Sequence, residues 1–174
     1  TATALKQLLE AADKPMVLDA DALNILAAHK DMLELVPENS ILTPHPRELD
    51  RLTAPKNSVY SRVGEQARLA KKYNFYVIQK GANTATATPE GVIYFNSTGN
   101  PGMSTGGTGD VLTGVILGLL AQGYKPKDAA ILGVFLHGLA GDNAAANYGL
   151  EALMAGDLIE HLGSAYKALY ANSI

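Results

Sequence analysis

The chain has 174 residues, no cysteine and a formal net charge of −3. That length supports one domain with a sizeable core, the acidic balance without any basic run argues against a nucleic-acid surface, and the lack of cysteine excludes disulfides and thiolate metal sites. No apolar run approaches the roughly 20 residues of a membrane span and no signal-peptide pattern opens the sequence, so no membrane contact is expected and the cytoplasm is the expected compartment.

Residues 3–12 have helical spacing with no strand before them, which points to a chain cut from something longer. Lys14-Pro15 introduces a short apolar strand at 16–18, and Asp21 can cap a helix over 22–35 that ends before Pro37. A second short strand at 41–42 runs into Thr-Pro-His-Pro, with helices expected over 47–52 and 58–73. The third strand, 75–78, stops at Lys80-Gly81. Residues 84–88 and 92–95 alternate around Pro89-Glu90-Gly91, the pattern of an antiparallel hairpin. Long helices then cover 110–121, 127–147 and 155–171. Strands alternating with helices imply an α/β fold, a mainly parallel sheet covered on both faces, and no linker or repeat divides it.

One loop stands out. Residues 96–110 read Asn-Ser-Thr-Gly-Asn-Pro-Gly-Met-Ser-Thr-Gly-Gly-Thr-Gly-Asp, with five glycines from Gly99 to Gly109. Such a loop lets backbone N–H groups approach a ligand, and it delivers that ligand to a helix N-terminus, where unpaired amides and the helix dipole favour phosphate. It is neither a Walker loop nor a G-x-G-x-x-G fingerprint. Asp110, at the start of that helix, is either a plain cap or a carboxylate at work on a second substrate.

Each of the three short strands is followed by a polar cluster: Asp19-Ala-Asp21, Thr43-Pro-His-Pro-Arg-Glu48 and Lys80-Gly-Ala-Asn-Thr84. Open α/β sheets bind ligands beyond the carboxyl ends of their strands, so these clusters and the glycine loop are expected to converge on one edge. Every cluster has a structural alternative: Asp21 as a cap, Glu48 as a first-turn acid, Lys80-Gly81 as an ordinary turn. Two prolines fix the chain around His45. His29 and His161 carry no expected role. His137 and Asp142 sit in His-Gly-Leu-Ala-Gly-Asp, where small residues favour close packing over chemistry.

Val-Leu-Asp-Ala-Asp-Ala-Leu-Asn (17–24), Leu-Thr-Pro-His-Pro-x-Glu (42–48), Lys-Gly-x-x-Thr (80–84) and the long glycine motif at 99–114 together resemble the ADP/ATP-dependent NAD(P)H-hydrate dehydratases. These are ribokinase-like enzymes, often fused to an NAD(P)H-hydrate epimerase. The resemblance spans essentially the whole chain but matches only the C-terminal part of that family's domain, and Arg47 stands where the family usually has glycine. It implies a three-layer α/β/α fold and repair of hydrated NADH or NADPH: a nucleotide's terminal phosphate passes to the ring hydroxyl and then leaves, restoring the double bond. By that resemblance Asp110 is the general base, and His45, Asp21, Asn100 and Asp110 meet the hydrated dinucleotide. Lys80, Gly81, Ala82, Asn83 and Thr84, with Gly106, Gly107, Thr108 and Gly109, hold ADP or ATP, and Glu48 holds Mg2+ through water. A small-molecule kinase of the same fold and a non-catalytic nucleotide-binding module are the alternatives.

Three short strands look too few to cover the apolar helices at 110–121 and 127–147. Exposed apolar area at Val111, Leu112, Val115, Ile116, Leu119, Ile131, Leu132, Val134, Phe135 and Leu136 is therefore expected, and with it a homo-oligomer or association with an N-terminal segment of the same protein.

Overall fold

A computed structural model of the chain describes residues 1–55 and 58–171. Strands β1 (Val17–Leu18), β2 (Ile41–Leu42) and β3 (Tyr76–Gln79) pair in parallel, and β4 (Ala85–Ala87) and β5 (Ile93–Phe95) continue the sheet antiparallel in the order β1-β2-β3-β4-β5. The expected hairpin is therefore the sheet's antiparallel end. Gly91 turns it at φ +84°, with its N–H donating to the Thr88 carbonyl.

The parallel register sorts side chains by face with period two. Leu18, Leu42 and Val77 lie side by side on one face, in a core with α1 (Ala2–Ala11), α2 (Asp21–Ala28), α3 (Pro46–Leu52) and α4 (Val59–Tyr73). Ile41, Tyr76 and Ile78 face the other way, onto α5 (Thr108–Ala121) and α6 (Pro126–Tyr148). The helix α7 (Ala155–Ala171) packs on the outside of α6 through Leu136, Ala140 and Ala165. The architecture is the three-layer α/β/α arrangement.

Two expectations change. The helix over 22–35 is broken at His29, whose φ −128° and ψ 71° leave the helical region. Its N–H makes the last bond of α2, to Ile25, and a 3-10 turn, Lys30–Leu35, follows. The apolar faces of α5 and α6 are not left open either. Leu112, Ile116, Leu119, Val134 and Leu136 are buried, and Val111, Val115, Ile131, Leu132 and Phe135 are half-buried. A third helix, α7, and close glycine contacts between α5 and α6 supply the cover that the strand count could not. By length and composition α6 could cross a membrane, yet half of its apolar window is buried inside the fold.

Candidate active site

All three parallel strands end on the same edge of the sheet, and the chain is pinned there. The Thr43 N–H donates to the Leu18 carbonyl at 3.1 Å and the Lys80 N–H to the Pro44 carbonyl at 2.9 Å. On this edge a cavity of about 620 Å3 opens between the strand ends, the glycine loop and α6. That volume suits a small-molecule ligand.

The glycine loop forms one wall. Gly107 is the residue before α5 and has φ +89°, a left-handed conformation that a side chain would strain. No side chain caps α5, and among the described residues none accepts from the amides of Thr108, Gly109 and Asp110. These free donors, with the positive end of the helix dipole, form an anion cradle. The Thr108 hydroxyl lies within reach of the Met103 and Thr105 carbonyls, at 2.8 and 3.0 Å, so it closes the loop and only its amide remains for a ligand. Asp110 is exposed in the first turn, one residue beyond Gly109, which lines the cavity.

Lys80 stands at the start of α5. Its ammonium donates to Asp19 Oδ1 at 2.7 Å, and a Cβ added at Gly109 would lie 3.4 Å from the same nitrogen. Gly81, Ala82 and Thr84 line the cavity beside it, and the Thr84 hydroxyl closes their turn by donating to the Gly81 carbonyl. Asn83 is exposed and does not line it.

His45 lines the cavity but also caps α3. Its Nδ1 accepts from the Arg47 and Glu48 amides at 3.1 and 3.3 Å, and Glu48 Oε2 returns the favour by accepting the His45 N–H at 2.8 Å. This is a capping box with histidine at the first position and proline at the first helical one. Arg47 lies in that helix, where a glycine is not required. Glu48 is consequently folded back on its own helix, and its side chain is only 7% exposed. The capping box holds one oxygen on the His45 amide, and the other lies 3.4 Å from the His45 ring. Asp21 is exposed in the first turn of α2 and makes no cap bond; it is Asp19, two residues earlier, that faces the cavity's lysine.

Asn100 lines the rim: its Oδ1 accepts from the Gly102 amide, and its Nδ2 donates to Asp142 Oδ1 at 2.9 Å. Asp142 Oδ2 also accepts the Gly99 N–H at 2.8 Å. The His-Gly-Leu-Ala-Gly-Asp stretch is thus the wall that the loop rests on. A Cβ at Gly138 would lie 2.3 Å from Thr98 Oγ1, and one at Gly141 2.3 Å from Met103 Sδ. His137, in the same stretch, lines the cavity floor and donates from Nε2 to the Thr108 carbonyl at 2.9 Å. A carbonyl only accepts, so Nε2 carries the proton. Burial pushes the imidazole below its ordinary value, the bond to Thr108 opposes this, and the charge of Lys80 adds to the lowering.

Sequence reasoning put Asp19 in a cluster at this edge but singled out Asp21, and gave His137 and Asp142 to packing. Asp19 is the residue directly after β1, as Lys80 is directly after β3, and that shared position was the available signal. For His137 and Asp142 no local pattern carried it, since their partners lie 29 and 42 residues away.

Residues 1–163 match the family model for NAD(P)H-hydrate dehydratase. The chain belongs to the NAD(P)H-hydrate dehydratase family. This dehydratase-family chain is 47% identical over 93% of its length to the bifunctional NAD(P)H-hydrate repair enzyme of Moorella thermoacetica, of which the match covers 31%. It is 42% identical over 87% of its length to the ADP-dependent (S)-NAD(P)H-hydrate dehydratase of Neisseria meningitidis, covering 53% of that protein. It therefore spans between about a quarter and about half of the relatives it matches. A crystal structure of the ADP/ATP-dependent NAD(P)H-hydrate dehydratase from Bacillus subtilis, co-crystallised with ATP and Mg2+, superposes with a TM-score of 0.79 at 34% identity, over 91% of this chain and 56% of that one. Arabidopsis thaliana ribokinase, at 17% identity and a TM-score of 0.60, shares the fold alone.

Proposed function

We propose that this chain supplies the nucleotide-dependent dehydration of hydrated NADH or NADPH, with ADP or ATP as phosphoryl donor. The observation that carries the reading is the first turn of α5: three amides without an acceptor among the described residues, and in the same turn an exposed carboxylate, Asp110. An anion cradle alone would serve any phosphate binder. A carboxylate at its edge repels phosphate, and it can act as a base on a neutral group that must lose a proton, such as the ring hydroxyl of the hydrated nicotinamide.

In this reading the α5 amides and Lys80 hold the terminal phosphates and offset charge on the transferring group. Asp110 takes the hydroxyl proton as the hydroxyl oxygen bonds to the terminal phosphorus and the bond from that phosphorus to the rest of the nucleotide breaks, so that AMP leaves from ADP, or ADP from ATP. The C–O bond then breaks with its electron pair leaving on phosphate, the ring nitrogen supplies the push, and loss of a ring proton restores the double bond. His45, exposed on one side and anchored by its own helix cap on the other, presents a fixed ring to the dinucleotide.

Among the described residues no group of three metal-ligating side chains gathers. That fits a magnesium ion held mainly by phosphate oxygens and water, the usual state of Mg2+ on nucleotides, with Glu48 meeting it through one of those waters. Magnesium would supply charge neutralisation on the phosphates.

The test is product analysis. Incubation with hydrated NADH, ADP and Mg2+ should return the absorbance of NADH and release inorganic phosphate. Accumulation of a stable phosphoester would mark a kinase instead, and nucleotide binding without any product would mark a binding module.

A further inference from the structure

We propose that Asp19 is a positioning residue that fixes the Lys80 ammonium at the mouth of α5, where it meets a nucleotide phosphate. The inference rests on the functional reading above for the identity of the ligand. It concerns a residue that reading does not use.

The geometry is specific. Asp19 Oδ1 accepts from Lys80 Nζ at 2.7 Å and from the Ala20 N–H at 2.8 Å, while Oδ2 faces Thr113 Oγ1 at 3.3 Å on the second turn of α5. A Cβ at Gly109 would lie 3.5 Å from the same Oδ2 and 3.4 Å from Lys80 Nζ. The carboxylate thus ties together the ends of β1 and β3 and the start of α5, three segments far apart in sequence. Its side chain is 9% exposed and that of Lys80 22%. A lysine has a flexible four-carbon stem, so without such a tie its charge would roam. Here it is held at the start of α5, 3.4 Å from where a Gly109 Cβ would lie.

The backbone adds a second observation. Ala20 has φ +51° and ψ −121°, a conformation that alanine adopts only under constraint. The strained turn follows Asp19 directly, and the Ala20 N–H is one of the donors that holds the carboxylate. Strain of this kind persists where the surroundings fix a side chain's direction.

Asp19 is also a negative charge next to a phosphate site, and that conflict makes the proposal testable. With Lys80 present, Asp19 should help a phosphate by holding the lysine. With Lys80 gone, only repulsion remains. The experiment is titration of ADP with Mg2+ by calorimetry into the wild-type chain, Asp19→Asn, Lys80→Met and the double variant, with adenosine as the phosphate-free probe and thermal unfolding alongside. Lys80→Met should weaken ADP by about tenfold or more, and Asp19→Asn by roughly three- to tenfold. Added to Lys80→Met, Asp19→Asn should leave ADP affinity unchanged or tighten it, and adenosine should be indifferent to all three. The same sign of effect in both backgrounds overturns the proposal, as does an equal loss for adenosine, which would mark a merely structural pair. If Asp19→Asn does not fold, Asp19→Ser, still able to accept from Ala20, carries the same expectation. A wild-type chain that binds ADP but never dehydrates the hydrate leaves this inference standing and defeats the functional reading. One that does not bind ADP defeats both.

Discussion

Gly138→Ala is the sharpest test of how the cavity wall is built. An added Cβ would lie 2.3 Å from Thr98 Oγ1, 2.7 Å from the Thr98 carbonyl carbon and 2.8 Å from its oxygen. Two of these three atoms are backbone, so no rotamer change relieves the contact. Non-bonded carbons settle at about 3.5–4.0 Å, so the loop must retreat by about 1 Å. Retreat breaks the bond from the Thr98 hydroxyl to the Phe135 carbonyl, 2.9 Å long, and loosens the grip of Asp142 on Gly99 and Asn100. Overpacking of this kind costs about 1–3 kcal/mol and the lost hydrogen bond about 1 kcal/mol, against a gain of about 1 kcal/mol from alanine's better helix propensity. The net expectation is a loss of about 2 kcal/mol, or a Tm lower by about 4–8 °C for a chain of this size. Thermal and urea unfolding measure it. Gly114→Ala, in the middle of α5 with nothing within 4 Å of its Cβ, is the control and should stabilise by up to about 1 kcal/mol. A Gly138→Ala protein as stable as its parent would show that the loop does not rest on α6 as described.

Three further outcomes follow from the site. Asp110→Asn should retain ADP affinity and lose turnover by about 100-fold or more, whereas a residue that only supports the helix end would lower stability by about 1 kcal/mol or less and leave turnover near normal. Gly107→Val forces a β-branched side chain into φ +89° and toward Ala155 Cβ, 3.1 Å from an added Cβ, so stability should fall by about 1–3 kcal/mol and ADP binding by more than that loss explains. Survival of ADP binding would move the cradle elsewhere. Because burial holds His137 below the ordinary 6.5, the unfolded chain takes up that proton first on acidification, and stability is lost as pH falls through 6.5 toward the folded value. The slope from this one group reaches at most about 1.4 kcal/mol per pH unit, and His137→Gln, which can still donate to Thr108, should flatten it in urea titrations at stepped pH.

The sequence by itself determined the layer plan and the edge on which the site lies. Short apolar runs at 16–18, 41–42 and 75–78, each followed by polar residues and a helix, leave a parallel sheet as the arrangement that buries both faces, and parallel strands put their carboxyl ends together. The glycine loop was legible for the same local reason. Gly107 must take a left-handed φ and the next residues must start a helix, and both demands are written in consecutive positions. Tertiary structure decided what local pattern cannot encode, namely which polar group meets which. Asp19 and Asp21 look alike in sequence, but the strained turn at Ala20 sends the first to Lys80, 61 residues away, and leaves the second in solvent. Glu48 reads as a free carboxylate until the cap of α3 folds it back on His45. The α6 glycines do pack closely, and only the structure shows that the loop at 98–103 is what they pack against, with Asp142 holding Gly99 and Asn100. A carboxylate's role depends on the nearest donor in space, and that donor is set by how the layers close.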